Sequence, residues 1–269
     1  MSEVYFSISA INFGRFEELN RYTPISTQNH SNCLPNRHHH HPANLQKKSR
    51  GLLSFNVRKT NMYIPASNKI DDHQKAFALI ESYGFATLVS QKDGIPWASH
   101  LPVLLDRKEA SFGRLRSHMA RANEQWQHFD PTKEVLVIFH GPHSYISPSW
   151  YASKIAVPTW NYATVHVYGL PRIEMDYDFL RRIVDDTTEK YERKMENPWK
   201  MELPENTIDT LMNAIIGFSI EITRIETKFK LGQNRSKEDQ SGMLDSLAAS
   251  ASASAQELAL FIKNQNHGA

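Results

Sequence analysis

FHGPHSYISPSWYASKIAVPTWNYATVHVYG, residues 139–169, decides the fold. Its second half alternates, with Val165 and Val167 on one side and His166 and Tyr168 on the other, the period of a half-buried strand. Pro142, Pro148 and Pro158 punctuate it, because proline donates no ladder hydrogen bond and sits at strand starts, edges or turns. Two Trp, four Tyr and a single Lys fall among these residues. The stretch predicts two or three short strands whose ends carry aromatic and hydroxyl groups, an arrangement suited to a flat, polar-rimmed ring.

Upstream, more strands are legible. FATLVS (85–90) and IPWASHLPVLLD (95–106) flank Lys92-Asp93-Gly94, a hairpin turn in which the Asp-Gly pair supplies positive φ. ASFGRLRSH (110–118) reads as a third strand, ARANEQWQHF (120–129) as a short helix and EVLVIFH (134–140) as a buried central strand. Before them, Asp71 or Asp72 caps a helix over HQKAFALIESYG, with Gly84 as its C-cap. Several short strands with Gly/Pro turns point to a small β-barrel.

Downstream the period changes. Phe179, Leu180, Ile183, Val184 and Tyr191 lie at helical spacing, and a second helix starts near Asn206, its expected cap. FSIEITRIE (218–226) alternates and returns to the barrel. The predicted fold is therefore α+β, mainly β: a barrel with flanking helices, a helical insertion at about 175–216 and a helical C-terminal part. The Ala/Ser run at 248–255 opens a low-complexity tail over 248–269, in which ELALFIK adds a frayed last turn.

The chain has 269 residues and net charge +2. Residues 1–61 carry eight Lys/Arg and three Glu, the rest 23 Lys/Arg and 26 Asp/Glu, so the body is mildly acidic. That composition disfavours direct binding of nucleic acid phosphates by the body. Residues 1–61, with His38–His41 in a row, lack periodicity and predict a disordered extension. The lone Cys33 excludes an internal disulfide and predicts a reducing, cytoplasmic setting. No run of eighteen apolar residues predicts a membrane span.

Four constellations carry chemistry. Ser99 and His100, in ASHLP (98–102), can offer polar groups to a ligand across a strand edge, or pair with neighbouring backbone. In SHMARANEQW (117–126), Arg121 and Asn123 lie near a first helical turn, an anion site or a plain cap with a surface Arg. Trp150, Lys154 and Trp160, with Tyr145 and Ser147, suit ring stacking and an anionic partner, or a subunit interface. In KFKLGQNRS (228–236), Lys228, Lys230, Gln233 and Arg235 can reach polar groups, or form a solvated turn. The histidines show no HxxxH or HExxH spacing, so no dedicated metal site is expected. There is no GxSxG elbow, no GxGxxG, no P-loop and no helix-turn-helix.

MYIP (62–65), FATLVS (85–90), ASHLP, HMARAN (118–123), GPHSYISPSWY (141–151), VPTWNY (157–162), VHVYG (165–169) and ITRIETKFKLGQNRS (222–236) closely resemble the PaiB-type family, the FMN-binding negative transcriptional regulators. The resemblance runs in order from Met62 to about Leu247 and leaves residues 1–61 outside the pattern, with Met62 as the expected native start. It implies a split β-barrel similar to pyridoxamine-phosphate-oxidase-like proteins, a homodimer, and FMN held between protomers. By resemblance, Ser99 and His100 flank the ring. His118, Arg121 and Asn123 hold the phosphate side. Trp150, Lys154 and Trp160 approach across the dimer, and Gln233 and Arg235 close the site. Three residues depart from the family pattern: Ser117 for Gly, Glu124 for Pro, and Gly232 for Ser. Repression of transcription is implied, with DNA or a transcription partner reached indirectly. The alternatives are an FMN-dependent oxidoreductase and a cofactor-free interaction module.

Overall fold

A hairpin register sets the start of the sheet. Asp93 and Gly94 both take positive φ, 53° and 82°, the conformation of a two-residue hairpin whose twist matches its strands. They pair β1 (Phe85–Lys92) with β2 (Ile95–Pro102), from Lys92 opposite Ile95 to Phe85 opposite Pro102. The computed structural model describes residues 62–109 and 111–266. The expected extension at 1–61, with Cys33 and His38–His41, lies outside the described residues.

β3 (Leu104–Asp106), β4 (Arg114–Ala120), β5 (Val135–Ile146), β6 (Thr159–Glu174) and β7 (Ile215–Lys230) complete a seven-stranded antiparallel sheet in the order β2-β1-β5-β6-β7-β4-β3. The two edge strands, β2 and β3, are consecutive pieces of one stretch broken only at Val103, whose amide donates to Gly84 O at 2.8 Å. The sheet therefore curls until its ends meet. β2 and β4 come together without a ladder, and this unlaced seam is the split in the barrel. Inward-facing Leu88, Leu115, Met119, Val137, Phe139, Val165, Val167, Phe218 and Ile220 are buried in one core.

Helices cover the outside. α1 (His73–Ser82) is capped by Asp72, which accepts from the Gln74 amide at 2.8 Å. Its end differs from expectation: Tyr83 is the C-cap and Gly84 has no positive φ. Gly84 is small because a side chain there would meet Val103 O at 3.1 Å and Lys190 Nζ at 2.6 Å. α2 (Tyr177–Glu192) sets Leu180 against Gly217 of β7 and Asp186 against Arg116 of β4. α3 (Glu205–Asn213) begins after Pro204 with no side-chain cap, so Asn206 lies inside the first turn rather than before it. Leu180, Ile208 and Met212 form a second, smaller core between them.

The C-terminal part differs most from expectation. α4 (Lys237–Ala249) is followed by α5 (Ala253–Asn266), a full helix rather than a frayed turn. Ala255, Leu258, Ala259 and Ile262 are buried in the main core, and Phe261 meets Phe229 edge-on at 5.2 Å. Two of the four buried positions on this face are the small residues Ala255 and Ala259, which weaken the helical signal. Among the described residues, no helix is long and apolar enough to cross a membrane.

Candidate functional site

The seam between β2 and β4 gathers half of the expected residues, Ser99, His100, His118, Arg121 and Asn123, but not on one face. Directly opposed strand residues share a face. Ser99 stands opposite buried Leu88 and points inward, while His100 stands opposite Thr87 and points outward, within 6.5 Å of the Phe85 ring. Ser99 and His100 therefore cannot flank one face of a ring together. On β4, Ser117 points inward opposite Phe218 and donates to Pro102 O across the seam at 2.6 Å. This occupies the hydroxyl that replaces the family glycine. His118 points outward opposite Gly217. Burial pushes its imidazole down, and Nδ1 has no partner among the described residues.

Beyond β4 the chain forms a five-residue 3-10 turn, Glu124–His128, instead of an α-helix. So short a turn has little dipole, and Asn123 already accepts from the Gln125 amide at 3.0 Å. Any anion-holding capacity here belongs to side chains, a correction to the helix-terminus expectation. Gln125 anchors the turn: its Nε2 reaches Leu88 O, Ser90 Oγ and Trp97 O at 3.1–3.2 Å. Asn123 Nδ2 donates to Ser99 Oγ at 2.8 Å. Arg121 is exposed and clamps the end of α3, with Nε on Asn213 O at 2.7 Å and Nη2 on Ile215 O at 3.1 Å. Its Nη1 has no hydrogen bond to a described residue.

The remaining expected residues are held elsewhere. Trp150 is half-buried in a 3-10 turn after Ser147, against which α4 packs; Lys154 is exposed in the loop that follows. Gln233 closes its own turn, accepting from Leu231 N and donating to Phe229 O. Arg235 lies over the Tyr151 ring at 4.6 Å. Gly232 has φ +81°, a conformation that glycine adopts without strain. Gly217, beside His118, and Lys228, near this group, lie eleven residues apart on β7, roughly 35 Å of strand at about 3.3 Å per residue. Within one protomer these residues and the seam are at opposite ends of β7.

A feature that sequence reading missed lies on the outward face of β5 and β6. Tyr63, His140, His143, Trp160, Tyr162 and His166 surround Lys228 in a groove of about 520 Å³. A register shift between His140 and His143 brings these two histidines onto one face despite their odd spacing; Gly141-Pro142 marks an interruption there but not which face each histidine takes. Burial pushes both His140 and His166 down; for His140, neighbouring His143 and His100 add to it.

FMN is a planar ring with a polar rim and a phosphate dianion. The seam fits it by its donors: an unlaced β2 edge, the buried unpartnered His118 Nδ1, and the Arg121 guanidinium with Nη1 uncommitted. Residues 62–224, more than half the chain, match the family described as "Putative FMN-binding domain". The chain belongs to this family. Its cofactor is FMN. The chain is 34% identical over 206 residues to protease synthase and sporulation protein PAI 2 of Bacillus subtilis, covering 76% of this chain and 98% of that one. It is 32% identical over 183 residues to an uncharacterized protein of Emericella nidulans, covering 55% and 73%. The flavocytochrome Anf3 from Azotobacter vinelandii superposes with a TM-score of 0.45 at 12% identity, over 63% of this chain and 73% of that one.

Proposed function

We propose that this PaiB-like flavin-binding protein is a cytoplasmic homodimer that regulates transcription negatively and indirectly, as a sensor of flavin or its redox state. The observation that carries the reading is the separation along β7: His118 and Arg121 meet its start at Gly217 and Ile215, while Gln233 holds Phe229 at its end, on the side of Trp150, Lys154 and Arg235. A second protomer can deliver the latter group to the former, which makes a site complete only in the dimer. Exposed Ile155 and Val157, in the loop beside Lys154, supply apolar surface for that contact. FMN would supply hydride and one-electron chemistry when bound. Arg121 would hold the phosphate, Asn123 and Ser99 would keep its loop against β2, and His118 would offer its unpartnered nitrogen. Indirect action is favoured by the acidic body and by α2 and α3, which are separated by 193–204 rather than by a tight turn.

The test is the visible spectrum of the purified protein with and without FMN, followed through gel filtration, beside Arg121→Ala. Flavin absorbance should travel with a dimer and be lost in the variant. A colourless protein that ignores FMN would refute the flavin reading, and sequence-specific, salt-sensitive DNA binding by 62–269 would refute indirect action.

A further inference from the structure

We propose that the β5–β6 groove is a second small-molecule site, separate from the flavin, that takes an aromatic carboxylate. That it is a second site rests on the reading above; the site itself rests on Lys228. This residue is only 8% exposed. Its ammonium donates to Tyr63 O at 2.9 Å and lies over the Tyr63 and Tyr162 rings at 5.5 and 5.3 Å. Among the described residues it has no carboxylate partner. Glu226, two residues earlier, is engaged by Arg224, by the Met62 amide at 2.7 Å and by Tyr168. A buried ammonium held by one carbonyl and two ring faces lacks its counter-charge, and the groove opens beside it.

The walls define the rest of the ligand. Trp160, 54% exposed, stands 6.2 Å from both His143 and Tyr145 with its ring accessible. Tyr63 and Tyr162 add two more faces, so a one- or two-ring aromatic body fits the volume. His140 and His166, held neutral by burial, present hydrogen-bonding groups without adding charge. One cation, aromatic walls and neutral imidazoles select an acid with a flat body over a neutral or cationic analogue.

The experiment uses the full chain, FMN-free and FMN-saturated, titrated calorimetrically with 2-naphthoate and with 2-naphthamide. The expected result is saturable binding of the acid, at least tenfold tighter than the amide, and changed less than twofold by FMN. Lys228→Met should weaken the acid at least tenfold. Trp160→Ala, at a surface position that folding does not need, should weaken both ligands several-fold. Equal affinity for acid and amide, unchanged binding in Lys228→Met, or no binding by the natural sequence would overturn the proposal. Competition between naphthoate and FMN would also overturn it, by assigning the groove to the flavin itself. Failure of the flavin reading is recorded separately, as absence of the bound FMN spectrum.

Discussion

The Asn123 side-chain amide donates to the Ser99 hydroxyl at 2.8 Å while its carbonyl oxygen accepts from the Gln125 amide at 3.0 Å. One residue thus caps a turn and ties it across the seam where β2 and β4 have no ladder. Asn123→Ala removes both bonds and should cost about 1–2 kcal/mol in urea unfolding. Ser99→Ala removes only the cross-seam bond and should cost less. The double variant should be less destabilised than the sum of the two, since both lose the same bond. Additive costs would show that the seam bond contributes nothing.

Arg121 joins two functions. Its Nε and Nη2 hold Asn213 O and Ile215 O at the end of α3, and in the proposed reading its remaining face takes the phosphate. Arg121→Ala should lower FMN affinity at least tenfold and speed amide exchange at 211–215. Arg121→Lys keeps the charge but not the planar fork. It should recover part of the FMN affinity and none of the protection at α3. Parallel recovery of both would indicate that charge alone holds the helix end.

Much of this fold is legible in short-range chemistry. Alternation around Val165 and Val167, the Asp93-Gly94 turn and the Asp72 cap are local signals, and local signals survive folding. The long-range consequences are not legible. Whether Ser99 and His100 share a face depends on pairing with Leu88 and Thr87, and Arg121 meets α3 across 92 residues. The groove depends on a β-bulge at His140–His143. Lys228 reads as one more basic residue in a polar turn, and only the sheet reveals that it is buried beneath Tyr63.

α5 is part of the core, and its removal should show it. Leu258 is 0% exposed and packs in the main cluster with Ala255, Ala259 and Ile262. Leu258→Ala leaves a cavity and should cost about 2–4 kcal/mol. Leu260→Ala, on the exposed side of the same helix, should cost under about 1 kcal/mol. Thermal unfolding of the two variants separates a packed helix from a loose tail: equal, small losses would return α5 to the tail.

The buried histidines set an acid limit on stability. Burial holds His118, His140 and His166 below the ordinary histidine value, which is about 6.5 in the unfolded chain. Above that pH both states are neutral at these residues and stability does not depend on them. As pH falls through it, the unfolded chain takes up protons first, and stability drops until the folded values are passed. The melting temperature should therefore stay nearly level down to about pH 7 and fall from there to about pH 5. His118→Leu should flatten that slope and be as stable as the natural sequence or more so at pH 5.5, because the Nδ1 it removes is buried without a partner. The same variant should bind FMN more weakly if His118 faces the cofactor, so melting curves and flavin titration together separate a residue kept for the site from one kept for the fold. An unchanged slope would mean that His118 takes up its proton as readily in the folded protein as in the unfolded chain.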